Sequence, residues 1–341
     1  MKVLLHIGMT KAGSSALQEG LAAAQKDLEG RGILYPDRGR TRNSHLLLLE
    51  GLVPPERLPR GLRGMYREDF HAMARDRRAW LDDLRTEVAR RRPHTLILSE
   101  EFLFYVRSEE GLTELRRRLL SLADAVDVEV IAYVRRPSEH YLASVQQLLK
   151  GAHSIPGPNP IGYRQAIDGF DAHVADRMHV VRYDRASWVD GDIVHHFLAN
   201  LLPGAEKIPR SGHVVNESLS ADAMSILAEY RGRFWADRDN HLTPDTNKVV
   251  RALTMIDAES GCAEGPRLHD HIAQRVDLGS TDLLWLRGTY GITFEGIDYA
   301  AIRQPTNRSE PLSRVDCICP VDEHRRDELL WEVVKHLATK R

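Results

Sequence analysis

Residues 8–15 combine glycine, lysine and hydroxyl side chains in one short segment. They read Gly8-Met9-Thr10-Lys11-Ala12-Gly13-Ser14-Ser15, directly after an apolar run. Glycines let a backbone approach an anion, hydroxyl groups donate to it, and the N-terminus of a following helix adds partial positive charge. The pattern predicts an anion-binding loop, although a strand-to-helix turn that binds nothing has the same layout.

The position of the lysine indicates which anion the loop suits. In nucleotide hydrolases a G-x-x-x-x-G spacing is followed by Lys and by a Ser or Thr that holds Mg²⁺. Gly8 and Gly13 keep that spacing, but Ser14 takes the lysine position and the lysine is residue 11. Lys11 should therefore reach the outer end of a shorter ligand. A sulfuryl group needs less charge neutralisation than a γ-phosphoryl group, so we expect no metal.

A second group of anion-binding residues follows the run Val128–Val134, which predicts a buried strand. Arg135 and Arg136 come directly after it, and Ser144 lies further along the predicted helix that begins at Pro137. Open α/β sheets bind ligands at the carboxyl ends of their strands. A guanidinium fork suits a terminal phosphate. Two consecutive arginines that simply face solvent remain the alternative.

Together the two segments resemble the sulfotransferases that use 3′-phosphoadenosine 5′-phosphosulfate (PAPS), in particular bacterial members. The resemblance extends through residues 97–102, 181–184 and 216–220, and it is thin beyond residue 220. It implies that residues 8 and 10–15 hold the 5′-phosphosulfate. It also implies that an Arg, with a Ser eight residues later, holds the 3′-phosphate.

The resemblance leaves the choice of arginine open. Arg136 and Ser144 have the eight-residue spacing of that pair. Relatives with Arg two residues before Pro would instead select Arg135, and their Ser would fall on position 143, which is Ala here. Both arginines therefore stay candidates for the 3′-phosphate.

Sulfuryl transfer to a hydroxyl group needs a general base within hydrogen-bond reach of the acceptor oxygen. Glu100 and Glu101 follow the predicted strand that ends at Ser99, and we favour Glu100 because it comes first. His45 is the competing base, since sulfotransferases of small molecules use His and many that act on carbohydrates use Glu. Carboxylates that only stabilise a helix N-terminus are the plain alternative.

Composition limits the class of protein. The chain has 341 residues, with 47 basic and 49 acidic side chains and a net charge of −2, so it lacks the basic excess of a general nucleic-acid binder. Cys262, Cys317 and Cys319 cannot pair evenly, which is typical of a reduced, cytoplasmic protein. No apolar stretch approaches the roughly 20 residues that a membrane-spanning helix needs.

Alternating strand and helix patterns predict the fold. Apolar runs at 3–7, 33–35, 95–99, 128–134 and 179–183 predict strands, with helical periodicity between them. This order favours an α/β fold: a three-layer sandwich like that of P-loop nucleotide hydrolases, with a mostly parallel central sheet flanked by helices. We expect a core over residues 1–220 with the PAPS site, and a mainly helical C-terminal region over 221–341 packed on the same domain.

The hypothesis from sequence is a cytoplasmic PAPS-dependent sulfotransferase that needs no metal and releases adenosine 3′,5′-bisphosphate. Its acceptor would be a hydroxylated metabolite, glycan or glycolipid, and Arg38, Arg40 and Arg42 suggest that an anionic glycan is one option. An ATP-dependent kinase or nucleotide hydrolase of the P-loop class is the alternative enzyme. A non-catalytic binding module is the alternative outside enzymes. Nothing in the sequence indicates the oligomeric state.

Overall fold

The computed structural model describes residues 1–37, 44–188, 191–202, 218–238, 241–259, 265–303 and 314–339. Its strands are β1 (Lys2–His6), β2 (Ile33–Leu34), β3 (Thr95–Ser99), β4 (Asp127–Val134) and β5 (Arg177–Arg182). Its α-helices are α1 (Ser14–Ala23), α2 (Gln25–Glu29), α3 (Arg60–Met65), α4 (Phe70–Arg91), α5 (Glu109–Leu120), α6 (Pro137–Leu149), α7 (Tyr163–His173), α8 (Ile193–Leu201), α9 (Ala221–Phe234), α10 (Pro244–Glu259), α11 (Asp270–Leu278), α12 (Asp282–Tyr290) and α13 (Glu323–Thr339).

The five strands form one sheet in the order β2-β3-β1-β4-β5, and every pair in it is parallel. This confirms the expected α/β class with a parallel central sheet flanked by helices. β1 lies in the middle, and the chain continues to β2 and β3 on one side before it crosses to β4 and β5 on the other. Such a reversal of strand order opens a crevice at the carboxyl ends of the strands. The segment after β1 therefore starts at the place where α/β sheets bind ligands.

Burial explains why the strands could be predicted from apolar runs. β1, β3 and β4 have neighbours on both sides, and nearly all their side chains are buried, so most of their length is a continuous apolar run. Helix α7 was not predicted, although Tyr163, Ile167 and Phe170 form a buried stripe at helical spacing. Its pattern is short and follows the glycine- and proline-rich segment 151–162.

The chain divides into two compact units. The first contains Met1–Arg135, Gly162–His213 and Trp285–Thr293, and the second contains Arg136–Ile161, Val214–Leu284 and Phe294–Arg341. The first unit holds the whole sheet. The domain boundary expected at residue 220 stays a prediction, but the described residues beyond it contain α-helices and short 3-10 turns and no strand.

The second unit has its own core, in which α6, α9, α10, α11 and α13 bury aliphatic side chains such as Leu227, Leu253 and Val333. Charged groups reinforce it at one point. Arg325 of α13 makes ion pairs with Asp222 and Asp257, the latter at 2.5 Å. Both carboxylates are 7% exposed, so α13 is fixed to α9 and α10 by charge as well as by apolar contact.

None of the helices that the structure describes is long and apolar enough to cross a membrane.

Candidate functional site: the loop after the central strand

The loop between β1 and α1 has an unusual backbone. Gly8, Lys11 and Gly13 all have positive φ, at 57°, 65° and 82°. Glycine adopts this region freely, whereas lysine does so at a cost, which makes Lys11 an outlier of the kind found at functional sites. Backbone segments that mix left- and right-handed residues turn N–H groups toward one side, as the loops of many anion sites do.

The start of α1 adds backbone hydrogen-bond donors to this loop. Among the described residues, the backbone N–H groups of Gly13, Ser14 and Ser15 donate no hydrogen bond, because they are the first of a helix. The hydroxyl of Ser14 is buried and faces the carbonyl of Met9 at 3.5 Å. The loop therefore has the donors that an anion-binding site requires.

Both glycines lie where a side chain would not fit. A Cβ on Gly8 would come within 2.7 Å of the Ser14 hydroxyl oxygen and 3.0 Å of the Glu101 Cβ. A Cβ on Gly13 would come within 2.7 Å of both Ile193 and the Tyr183 ring. The loop is thus packed closely against its surroundings, and its own residues Met9 and Ala12 are fully buried.

Arg135 belongs to this loop. Its Nη1 donates to the carbonyl oxygen of Lys11 at 2.8 Å, and its guanidinium lies over the Tyr183 ring, 5.4 Å from the ring centre. Its backbone N–H faces the sulfur of Met9 at 3.3 Å. A second fixed positive charge therefore stands beside the turn that carries Lys11.

Arg136 and Ser144 lie in the second unit. Arg136 forms an ion pair at 2.8 Å with Asp277, which is 2% exposed, and it also donates to the carbonyl of Glu295 at 3.1 Å. The Ser144 hydroxyl lies 3.5 Å from Nε2 of His140, one turn earlier on α6. The adjacent arginines thus have different partners: Arg135 donates to the loop, and Arg136 pairs with Asp277.

Glu100 directly follows β3, next to the loop. Its N–H donates to the carbonyl of His6 at 2.9 Å, and its Oε1 accepts the N–H of Phe102 at 2.9 Å. The side chain is fully buried, and its Oε2 accepts no hydrogen bond within the described residues. Burial first, and then the nearby charge of Glu101, raise the pKa of Glu100 to about 8, although the Ser44 hydroxyl and the Phe102 N–H oppose the rise. Glu100 is therefore largely protonated at neutral pH.

Glu101 is partly exposed, and its surroundings differ. Nε2 of Gln18 donates to its Oε2 at 3.0 Å, and its Cβ borders Gly8. Burial raises the pKa of Glu101, while the hydrogen bond from Gln18 and the charge of Lys11 lower it. Partial burial makes the Glu101 carboxylate a stronger base, and the nearby Lys11 charge favours its ionised form.

His45 is 1% exposed, and both of its ring nitrogens face the main chain. Nδ1 accepts the N–H of Ser99 at 2.9 Å, so the proton is on Nε2, which faces the carbonyl of Pro36 at 3.4 Å. Its ring packs against those of Tyr35 and Trp80. This geometry connects the end of β3 to the segment around residue 36.

Two further side chains near the loop, Tyr105 and Gln18, were not predicted as site residues. The hydroxyls of Thr10 and Tyr105 lie 2.8 Å apart, and Tyr105 is 38% exposed. Gln18 reaches back from the second turn of α1 to Glu101. A polar residue on the buried face of an apolar helix was one signal for Gln18, and its place at the end of the loop motif was another.

The described residues contain no group of three or more His, Cys, Asp or Glu that could hold a metal ion. A cavity of about 500 Å³ lies in the second unit, and its lining includes Glu229, Arg233 and Arg326 but no predicted site residue. Both of these arginines form ion pairs with Glu229. Arg38, Arg40, Arg42, Asn216, Glu217 and Cys262 lie outside the residues that the structure describes.

No protein-family model matches this chain, and neither the curated proteins nor the solved structures that were compared with it include a match.

Proposed function

We propose that the protein is a PAPS-dependent sulfotransferase. One observation carries the proposal: the glycine-rich loop at the end of the central strand has Lys11 in its turn, with Arg135 bound to the Lys11 carbonyl. The resemblance of this loop to the 5′-phosphosulfate loop of sulfotransferases supports the choice of donor. We propose both that this segment is a P-loop and that it binds PAPS.

The proposed reaction is an in-line displacement. The acceptor oxygen attacks sulfur, and the bond between sulfur and the bridging oxygen of the 5′-phosphate breaks. Lys11 stabilises the negative charge that develops on that oxygen, and the N–H groups at the start of α1 with Ser14 and Ser15 hold the phosphate. The acceptor gives its proton to a carboxylate, and adenosine 3′,5′-bisphosphate leaves.

The geometry favours Glu101 over Glu100 and His45 as the proton acceptor. Glu101 is partly exposed and lies beside the loop, whereas Glu100 is fully buried and protonated at neutral pH because its pKa is about 8. His45 would have to break main-chain contacts before either ring nitrogen could accept a proton. For the 3′-phosphate we propose Arg135, because Arg136 is already paired with a buried carboxylate. A role for Ser144 stays a prediction.

The decisive experiment compares ligands. Thermal unfolding is measured with adenosine 3′,5′-bisphosphate and, separately, with ATP and Mg²⁺. A ligand that binds only the folded protein at 100 times its Kd stabilises it by about 2.7 kcal/mol. We expect the bisphosphate to raise the melting temperature more. Preference for ATP with Mg²⁺ would instead indicate a kinase or nucleotide hydrolase.

A second experiment separates a transferase from a binding module. Cell extract is incubated with the protein and isotope-labelled PAPS, and sulfated products are sought by mass spectrometry. A labelled product that needs the active protein identifies the acceptor. Bisphosphate binding without any product would support a non-catalytic module. Glu101→Gln should abolish product formation, and Glu100→Gln should leave most of it.

A further inference from the structure

A row of buried polar side chains connects the centre of the sheet to Glu101. Nδ1 of His6 lies 2.8 Å from the Ser99 hydroxyl, which accepts a hydrogen bond from Nε2 of Gln18 at 3.1 Å. The same Gln18 nitrogen donates to Oε2 of Glu101 at 3.0 Å. His6, Ser99 and Gln18 are each at most 1% exposed.

Packing alone does not explain this row. Gln18 lies on the buried face of α1 beside Leu17 and Leu21, where an aliphatic residue would need no partner. A buried amide is tolerated when its hydrogen bonds are made, and here one of its two acceptors is the carboxylate next to the loop. The Ser99 hydroxyl thus pairs with both Gln18 and Nδ1 of His6, and it links the amide to the central strand.

We propose that Gln18 is a positioning residue for Glu101. Its Nε2 donates to Oε2 and so holds the Glu101 carboxylate in one orientation beside the loop. Ser99 and His6 hold the Gln18 amide in the orientation that this requires. The inference rests on the proposed function for the identity of the reaction, but the placement of Glu101 is testable without a substrate.

The pH dependence of Glu101 reports on this contact. The other ionisable groups close to Glu101 are Lys11 on the loop, Glu100 next to it in the chain, and Tyr105 at the end of the same 3-10 turn. A donated hydrogen bond favours the ionised carboxylate, so its loss must raise the pKa of Glu101. A bond to a charged group of ordinary strength corresponds to a shift of about one pH unit.

The experiment uses Gln18→Met, which keeps the length of the side chain and removes the donor. Gln25→Met is the matched control, because Gln25 donates to a main-chain carbonyl, that of Tyr35, at 2.9 Å. The carboxyl carbon of Glu101 is titrated by NMR in each protein, with Glu101→Gln used to assign its signal. We expect an upward shift of about one pH unit in Gln18→Met and none in Gln25→Met. The acidic limb of kcat/KM should move by the same amount.

The outcomes separate this inference from the proposed function. An unchanged Glu101 titration in folded Gln18→Met overturns the positioning role, whatever the donor is. A shifted titration together with no stabilisation by bisphosphate supports the positioning role and refutes the donor. If Gln18→Met does not fold, Ser99→Ala serves instead: it removes the hydroxyl that anchors Gln18, and a smaller upward shift is expected. No shift in folded Ser99→Ala overturns the inference equally.

Discussion

Lys11 and Arg135 place two positive charges at one turn of the backbone, and their functions should be separable. Lys11 has its side chain on the loop, whereas Arg135 holds the loop through the carbonyl of Lys11. In the proposed reaction, removing the first should affect charge development on the leaving oxygen, and removing the second should affect the shape of the loop.

We predict that Lys11→Ala lowers turnover about 10²- to 10³-fold, as expected for the loss of one donor to a developing oxyanion. The measurement is the rate of bisphosphate release from PAPS in the presence of acceptor. Lys26→Ala is the control, because Lys26 is an exposed lysine on α2. Undiminished turnover in Lys11→Ala would rule out the assigned role.

Glu100 gives a prediction about stability. Its folded pKa of about 8 lies above its ordinary value of 4.5, so the folded state binds the proton more tightly than the unfolded state does. The stability that this provides is complete below pH 4.5 and is lost as the pH rises through 8. Glu100→Gln removes this titration and should stabilise the protein increasingly between those values, by up to about 1.4 kcal/mol per pH unit.

Urea unfolding at pH 5 and at pH 8 checks this prediction. Glu100→Gln should gain stability over the native protein at pH 8 and gain less at pH 5. Glu110→Gln is a suitable control, because Glu110 is exposed and lies on the first turn of α5. Equal effects of Glu100→Gln at both pH values would contradict a strongly raised pKa for this group.

The residue-scale features that the sequence did not predict depend on distant partners. The loop could be predicted because its glycines, lysine and serines lie within one short segment. The difference between the arginines could not, because Arg136 meets Asp277 from 141 positions along the chain. His45 likewise meets Ser99 across 54 positions. Sequence spacing contains no information on such pairs.

At the scale of elements, the connection from β1 to α1 depends on two glycines. Gly13 is the N-cap of α1 with φ of 82°, and Tyr183 and Ile193 occupy the space that a Cβ would need. A side chain there would be strained and would displace both neighbours. The loop and the start of the helix should therefore respond together to a change at this position.

We predict that Gly13→Ala destabilises the protein by about 1–3 kcal/mol and weakens bisphosphate binding. The measurements are urea unfolding and the Kd for bisphosphate. Gly61→Ala is the control, because Gly61 lies in α3 and a Cβ there would meet nothing within 4 Å. It should leave binding unchanged and alter stability little. Unchanged binding by Gly13→Ala would show that the loop shape does not matter for the ligand.

Strands and helices could be predicted where their sequence pattern depends only on neighbouring residues. The strand at 95–99 agrees residue for residue, because each of its side chains is buried and apolar or small. The sequence predicts one long polar helix over residues 66–91, but α4 begins at Phe70, since Asp69 accepts the N–H of Ala72 and acts as its N-cap. The capping residue determines where the helix begins, and apolar periodicity alone does not identify that residue.

At the scale of the whole molecule, the chain has two cores, and each should respond to its own substitutions. The grouping of residues 136–161 with those after 214 could not be predicted, because it depends on contacts between segments far apart in sequence. Arg325 is the clearest place to test the second core, since it pairs with two carboxylates that are 7% exposed.

We predict that Arg325→Met destabilises the second unit by about 3–5 kcal/mol, because it leaves two buried carboxylates without their cation. Urea unfolding gives the size of the effect, and hydrogen exchange should accelerate in α9, α10 and α13. Lys335→Met is the control, because Lys335 lies 3.7 Å from its partner Glu332 and both side chains are exposed. We expect this variant to lose less than about 1 kcal/mol of unfolding free energy. Comparable losses from both variants would contradict a special role for Arg325.

The left-handed backbone at Lys11 has a consequence for directed evolution of this protein. Glycine and asparagine accept a φ of 65° more readily than lysine does, so the native residue is not the most stable choice there. A library of variants at this one position, screened for heat resistance alone, should be enriched in glycine and asparagine. The same library screened for catalysis should be enriched in lysine. The difference in unfolding free energy between the variants selected in the two screens would then measure the stability lost by keeping lysine at this position.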